Sequence, residues 1–466
     1  MLKRNHKYNY QNSRGRRHHW PENSGTPPAS ADVAVTGEEY VLLELLELLL
    51  SGRHGQEPLR QTFANARASG ALDAIPGLIY PRLNPDGTVA ELVNTGIQRL
   101  LGDLDELAFP TAGYGILEAP SRRPTLAARP VPASQVRKYT PISSLSITFG
   151  CRFSCDYCPI PAYNQKNLRG KSGPRITAEI HRLYRDYGIR YYFGTDDNFL
   201  ADRDRALDIL ETLAKFEFDG TRLARKIRWG TEVTVHDTLL LREHLPTLHD
   251  AGVRALWLGV EDMTGTLVRK GQSVDKTLEV FRLLRQHGIC PMPMMMHHDA
   301  QPLYTRGRPA GLLNQISLLR KAGAVSLQVL MLTPSAGSKN YEKPYTSGMV
   351  YQSAGGRRVE PYMYDGNYVI ATAAPKPWRK QLNLMVAYAF FYNPLHLLGD
   401  LIHHRTRVSF KPAGMQLVGM WGLFHTLRRT LGWSLRLRFT RTTRRLDPPG
   451  SPLPMRTLGI EPPTKN

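Results

Sequence analysis

The sequence predicts an α/β fold: a parallel sheet of six strand–helix units, with a small N-terminal α/β part and a basic, mainly helical C-terminal region. Three observations predict it. Apolar, β-branched or aromatic runs begin near Ile142, Arg190, Lys226, Ala255, Cys290 and Ser326. The segments between them carry helical periodicity, as in residues 206–213 and 277–284. Strand–helix alternation of this kind lays successive strands side by side and parallel. The third observation is charge. The net charge is +21, yet residues 401–446 hold ten Lys/Arg and no Asp or Glu, and the first twenty residues hold six and none. The middle of the chain is therefore near neutral, as suits an enzyme core with basic appendages.

Taken in order, residues 1–31 are polar, basic and rich in Pro, Ser and Asn, and they read as a disordered tail. Residues 32–125 open with Val33-Ala34-Val35, followed by Thr36 and Glu39 at capping-box spacing. A leucine-rich helix over residues 38–50 then runs to Ser51-Gly52. Ile75-Pro76-Gly77-Leu78 and a turn at Asp86-Gly87 follow, and Leu104-Asp105-Glu106-Leu107 serves as a linker. The strand–helix units occupy residues 138–340, an extension flanks them over 341–398, and the basic region covers 399–466. Residues 415–446 alternate Leu, Trp and Phe with Arg. That pattern suits a helix with a solvated Arg face, a helix lying in a membrane interface, or phosphate contacts, with nucleic acid the least favoured.

No run of about 18 uninterrupted apolar residues is present, so no transmembrane helix is predicted. The N-terminus lacks the apolar core of a secretory signal. With 4 Cys in 466 residues, the chain reads as cytoplasmic, with room for peripheral contact at the inner membrane surface.

Three of the four cysteines fall within eight residues, as Cys151-x3-Cys155-x2-Cys158. Thiolates are preferred ligands of iron–sulfur clusters. Three of them hold three irons of a 4Fe–4S cluster and leave the fourth iron free for a ligand, whereas an electron carrier closes all four corners. The competing reading is a zinc site, which lacks a second Cys or His pair nearby to complete a tetrahedron.

The spacing, with Tyr157 just before the last cysteine, resembles the radical S-adenosylmethionine (SAM) superfamily. The resemblance implies a partial (β/α)6 TIM-like barrel, with the cysteine loop following a first strand at residues 145–149. It implies Cys151, Cys155 and Cys158 as ligands of a 4Fe–4S cluster that chelates SAM, with Tyr157 against the adenine. It also implies reductive cleavage of SAM to a 5′-deoxyadenosyl radical for C–H activation, whether methylation, cyclisation or rearrangement. The partners implied are a small-molecule or lipid-like substrate and a flavodoxin- or ferredoxin-type electron donor. Residues 33–110 resemble the end of the cobalamin-binding domain that precedes many such barrels. This brings cobalamin as a further cofactor, although the sequence upstream offers no doubly wound sheet and the chain has no D-x-H-x-x-G loop.

Other candidates stand at strand ends, where barrel active sites lie. By resemblance, Asp196 and Asp197 lie near the SAM amino group, the alternative being a helix N-cap. Glu232 closes the third strand and is expected to point into the barrel mouth as a SAM-binding candidate, and Glu261 closes the fourth in a Gly-x-Glu that resembles the family pattern, which implies binding of the SAM ribose or the orienting of a cationic partner. His297, His298 and Asp299 follow the fifth strand as candidates for substrate binding. Cys290 begins that strand and reads as a buried structural thiol. Thr333-Pro334-Ser335-Ala336-Gly337-Ser338 ends the sixth unit and resembles a motif of the cobalamin-type branch. The rival function is a non-catalytic, metal-stabilised module that binds nucleic acid or membrane through its basic ends.

Overall fold

The computed structural model describes residues 31–118, 130–268, 270–402, 412–449 and 453–458. The expected N-terminal tail, apart from Ala31, and much of the extreme C-terminus lie outside the described residues. Two compact units emerge. Of the described residues, one unit holds 31–103 together with the C-terminal strand, and the other runs from Leu104 to Pro448. The linker around Asp105 thus belongs with the second unit.

In the first unit, helices Glu39–Ser51 and Leu59–Ala68 accompany a sheet ordered Ala34–Val35, Leu78–Leu83, Val89–Asn94, Met455–Thr457. The central pair is an antiparallel hairpin turned at Asp86-Gly87, where Gly87 takes φ +81°. Val41, Leu45 and Leu49 recur every fourth residue and form the helix's buried stripe. The expected capping box does not form. The Thr36 hydroxyl donates instead to the Gly77 carbonyl at 2.9 Å, and Glu38 takes the N-cap position without a side-chain cap. Among the described residues this unit is built on a hairpin rather than a doubly wound parallel sheet.

The second unit carries the six predicted strands: β1 (Ile142–Leu145), β2 (Tyr191–Gly194), β3 (Arg228–Thr234), β4 (Val253–Glu261), β5 (Cys290–His297) and β6 (Gln328–Met331). They pair in sequence order, all parallel, as a half-barrel. Helices α1 (Gly173–Tyr187), α2 (Arg203–Lys215), α3 (Leu245–Asp250), α4 (Val274–Gln286) and α5 (Leu312–Lys321) fall in turn between them. Alternate strand residues divide the sheet into two faces. Leu256, Leu258 and Val260 join Phe281 and Leu284 in the core beneath the helices. Ala255, Cys290 and Met292 gather on the concave face with Trp257 and Met415. Cys290 is a buried thiol at the start of its strand, as expected.

The linker is fastened to α1. Asp105 accepts from the Ser172 N–H at 2.9 Å and its hydroxyl at 2.5 Å, and Ser172 in turn caps α1 through Arg175 N–H. The Arg175 guanidinium donates to the Asp105 carbonyl and stacks 3.9 Å over Phe109. Beyond β6, helix α6 (Pro377–Phe391) covers the open sheet edge. Tyr388 Oη accepts from Val329 N–H at 3.0 Å and donates to its carbonyl at 2.9 Å. Tyr392 does the same for Leu327, at 2.6 and 3.2 Å. Helix α7 (Pro412–Phe439) packs on α6 and buries Trp433, whose indole N–H donates to the Val369 carbonyl at 2.9 Å.

Candidate active site

The first strand ends sooner than the sequence suggests, and the reason builds the site. Asp196, fully buried after β2, accepts from the N–H groups of Ile147 (3.2 Å) and Thr148 (2.6 Å) and from the hydroxyls of Thr148 (3.1 Å) and Thr231. Those amides are thereby taken from the parallel ladder, so β1 stops at Leu145. Thr148–Phe149 turns away to pair antiparallel with Arg169–Gly170. The cysteines lie in the loop that this pairing closes.

Asp197 holds the next link. Its Oδ2 accepts from Gly150 N–H and Asn164 Nδ2, both at 2.9 Å. Gly150 has φ +96°, and a Cβ there would run into the Asn167 carbonyl. Only glycine fits this turn, one residue before Cys151. Both aspartates are thus occupied with the backbone that leads into the cysteine loop. The N-cap of α2 falls to Asp202 instead, which accepts from Arg205 N–H.

Cys155 is buried, while Cys151 and Cys158 are half-buried, and none of the three is in a disulfide. The Cys158 N–H donates to the Cys155 carbonyl at 3.0 Å, which folds the C-x2-C stretch into a turn. Burial raises the Cys151 pKa above its ordinary value, and nearby Lys270 opposes that rise. Asn198 Nδ2 stands 3.9 Å from the Cys151 sulfur and also donates to Asp237 Oδ2 at 2.7 Å.

Tyr157, Glu261 and the thiols share one neighbourhood. The Tyr157 hydroxyl is buried without a hydrogen-bond partner among the described residues. Burial first, and then the charges of Glu261 and Cys155, hold its proton tightly. Glu261 ends β4 at a break in register between Gly259 and Glu261, with φ +56°. Its Oε1 accepts from Lys270 Nζ at 3.0 Å, with the two side chains only 13% and 10% exposed. Gly259 leaves room for the pair, since a Cβ there would stand 3.1 Å from Glu261 Oε1. Glu261, followed by Cys155 and Cys151, outweighs the cost of burial and holds Lys270 protonated. Glu232 is half-buried on β3, in register with Trp257.

His297, His298 and Asp299, the candidates for substrate binding, each meet protein partners at the end of β5. His297 is buried between Gln301 Oε1 (3.0 Å) and Asn383 Nδ2 (3.1 Å), and burial pushes its pKa down to about 4. His298 Nε2 bonds Asp262 at 3.0 Å. Burial raises the pKa of Asp262, but hydrogen bonds from His298, Thr264 and Gln315 win and bring it to about 2. Asp299 receives Lys380 Nζ and the Thr372 hydroxyl, both at 2.5 Å, and Ala373 N–H at 2.7 Å. His297 and Asp299 thus fasten α6 and the flanking extension to the end of the half-barrel, while His298 ties the end of β5 to that of β4.

The stretch after β6 reaches the cysteine loop. Gly337 takes φ +86°, and a Cβ there would meet Ala162 at 3.3 Å. Asn340 N–H donates to the Asp156 carbonyl at 2.9 Å.

Gly150, Asn198 and Lys270 were not singled out from the sequence. Gly150 directly precedes the first cysteine and Asn198 directly follows the two aspartates, which were usable signals. Nothing local marks Lys270.

The donor chemistry fits an iron–sulfur cluster. Three soft thiols share one short loop, and the buried Lys270 ammonium near Cys155 and Cys151 suits an anionic thiolate–iron assembly. An unpartnered tyrosine hydroxyl stands beside them. Among the described residues of the N-terminal unit the single histidine is His54, and it is exposed.

Residues 145–299 match the model of the radical SAM superfamily. Among curated proteins, the chain is similar to the hopanoid C-2 methylase of Rhodopseudomonas palustris, 29% identical over 145 residues, covering 30% of this chain and 26% of that protein. It is also similar to an uncharacterized methyltransferase of Synechocystis sp., 26% identical over 238 residues, covering 49% and 42%. The matched stretches thus span less than half the length of these relatives. Among solved structures, the radical SAM methyltransferase TsrM from Kitasatospora setae, with tryptophan substrate and a SAM analog bound, shares the fold. Its TM-score is 0.54 at 16% identity, covering 86% of this chain and 78% of that one.

Proposed function

We propose, for a chain that carries a radical SAM domain and is an enzyme of that superfamily, that Cys151, Cys155 and Cys158 ligate a 4Fe–4S cluster whose fourth iron takes SAM, and that the product step is methylation of an apolar small molecule. The observation that carries this reading is the loop itself: three thiols after the first strand of a parallel half-barrel, beside the buried Lys270–Glu261 pair. When bound, the cluster and SAM supply reductive cleavage of the sulfonium and hydrogen-atom abstraction from an unreactive C–H bond.

The chain's own residues do the rest. Asp196 and Asp197 fix the backbone that enters the loop, so the three sulfurs keep one arrangement. Lys270 offsets the negative charge of ligated thiolates, and Glu261 holds Lys270 in place. Tyr157 presents its hydroxyl and ring next to the sulfurs. On the concave face, Trp257 is edge-on to Phe193 at 4.8 Å, and Met294 and Met296 are half-buried. Such a lining favours an apolar substrate and keeps water from a radical. That two similar proteins bear methylase or methyltransferase names and TsrM is a methyltransferase supports methylation. Both the substrate's identity and the donor, of flavodoxin or ferredoxin type, belong to this proposal. SAM cleavage needs the cluster and SAM alone, and the methyl group for the substrate radical would come from a second SAM through a carrier such as cobalamin.

The test is anaerobic reconstitution with iron and sulfide, then incubation with SAM and a low-potential reductant. Release of 5′-deoxyadenosine by the wild type, lost in Cys155→Ala and Cys158→Ala along with bound iron, is the expected result. A fully loaded wild type that releases none, with apolar candidate substrates present, overturns the reading.

A further inference from the structure

Helix α7 has two unlike faces. Trp433 and Leu437 point inward and are buried. On the other side Leu417, Trp421, Phe424, Arg428, Leu431 and Leu435 succeed each other at alternating steps of four and three residues, which is one continuous helical stripe. The apolar members are exposed: Leu417 57%, Trp421 65%, Phe424 55%, Leu431 48% and Leu435 48%. The helix Pro394–Ile402, packed beside α7, adds Leu395. Soluble proteins rarely leave an apolar patch of more than a few hundred Å² uncovered.

Charge decides what covers it. Residues 401–446 hold ten Lys/Arg and no acid. Arg428 sits within the apolar stripe, exposed, with no ion pair among the described residues, whereas its neighbour Arg429 is paired with Asp365 at 3.1 Å. A second copy laid parallel on this stripe would bring Arg428 against Arg428, and one laid antiparallel would bury Arg428 on Phe424, in either case with no acid on the helix to compensate. An anionic lipid surface accommodates both features. The Trp421 and Phe424 rings, 6.2 Å apart and stacked, enter the headgroup–acyl boundary, and Arg428 reaches out to lipid phosphates.

We propose that the outer face of α7 docks the protein on an anionic bilayer surface, with the helix lying in the interface. No helix among the described residues is long and apolar enough to cross a membrane, so the contact is with one leaflet.

Flotation of the purified full chain with vesicles tests it, using phosphatidylcholine alone or mixed with phosphatidylglycerol. The wild type is expected to float with the anionic vesicles, less with phosphatidylcholine, and less as salt rises. The double substitution Trp421→Glu/Phe424→Glu should reduce partition about tenfold or more, and Arg428→Glu should weaken binding to the anionic vesicles selectively. All these side chains are exposed, so melting temperature and 5′-deoxyadenosine release should stay at wild-type levels. Three outcomes overturn the proposal: a wild type that stays with the unbound protein, a double variant that floats undiminished, or a wild-type dimer that the double variant turns into a monomer without any vesicle binding.

Discussion

The Asn340 N–H donates to the Asp156 carbonyl at 2.9 Å, joining the stretch after the last barrel strand to the loop that carries the cysteines. The first and sixth strands share no hydrogen bonds, since each forms an edge of the sheet. The half-barrel is open along its side, yet its first and last connections meet at the end where the thiols lie. The cysteine loop is therefore held from two directions, by the carboxylates after β2 and by the backbone after β6.

Asp196 should be the most sensitive of these supports. Asp196→Ala takes this acceptor from two buried amides and from the hydroxyls of Thr148 and Thr231, so we expect a loss of about 3 kcal/mol or more, seen as a lower melting temperature and poor iron retention. Asp196→Asn keeps the amide acceptor and should cost far less. The pH dependence separates them further. Burial raises the Asp196 pKa from its ordinary 3.8 to about 6. The native state therefore holds an extra proton between those values, and this group's contribution to stability falls as pH rises through the window, by about 3 kcal/mol. His297 has the opposite sign. Its native pKa, near 4 against an ordinary 6.5, makes stability fall as pH drops through that range, by a comparable ~3 kcal/mol. The two nearly cancel in the wild type. Urea titrations of Asp196→Asn should reveal acid destabilisation from pH 6.5 to 4, and a flat difference curve between it and wild type would refute the assignment.

Gly150→Ala should spare the half-barrel and spoil the loop. Its φ of +96° and the Asn167 carbonyl in the path of a Cβ imply a cost of about 2–4 kcal/mol, concentrated at the entrance to the cysteines. The expected signature is a modestly lower melting temperature with iron incorporation reduced out of proportion. Normal iron loading would show that the turn tolerates a side chain.

The Glu261–Lys270 pair calls for a double-mutant cycle. Lys270→Met leaves a buried carboxylate and Glu261→Gln a buried ammonium, each at a cost of about 3 kcal/mol, and the double variant should cost less than the sum by about 1–3 kcal/mol. After reconstitution, Lys270→Met should also lower the cluster's reduction potential, because it removes a cation next to the thiolates. Additive single effects and an unmoved potential would place the pair outside the site.

Tyr388→Phe and Tyr392→Phe each expose one residue's worth of edge-strand backbone. A loss of about 1–2 kcal/mol apiece is expected, together with faster aggregation on heating as the β6 edge becomes available for pairing. Light scattering during a thermal ramp reads both.

Much of the half-barrel was legible because parallel strands buried on both faces read as continuous apolar runs. The observed starts at Ile142, Tyr191, Arg228, Val253, Cys290 and Gln328 lie within two residues of those read from the sequence. The end of the first strand was misplaced because Thr148 and Phe149 have strand-like side chains, while Asp196, 48 residues from Thr148, takes the amides they would have given the ladder. Thr36 and Glu39 had the spacing of a capping box, but the Gly77 carbonyl, 41 residues on from Thr36, accepts its hydroxyl. Lys270 meets Glu261 only because β4 breaks register before its last residue, and no local pattern encodes that. The cysteine spacing needed no tertiary information, since three thiols within eight residues must share one loop.

The attachment of Asp105 to Ser172 and of Arg175 to Phe109 fixes where the chain can be divided. An engineered truncation placed after Phe109 would leave Ser172, the cap of α1, without its Asp105 partner and the Arg175 guanidinium without its stacking ring. An excised half-barrel that starts at Leu104 keeps both, so the shortest fragment worth expressing begins six residues before the first proline of that segment, Pro110.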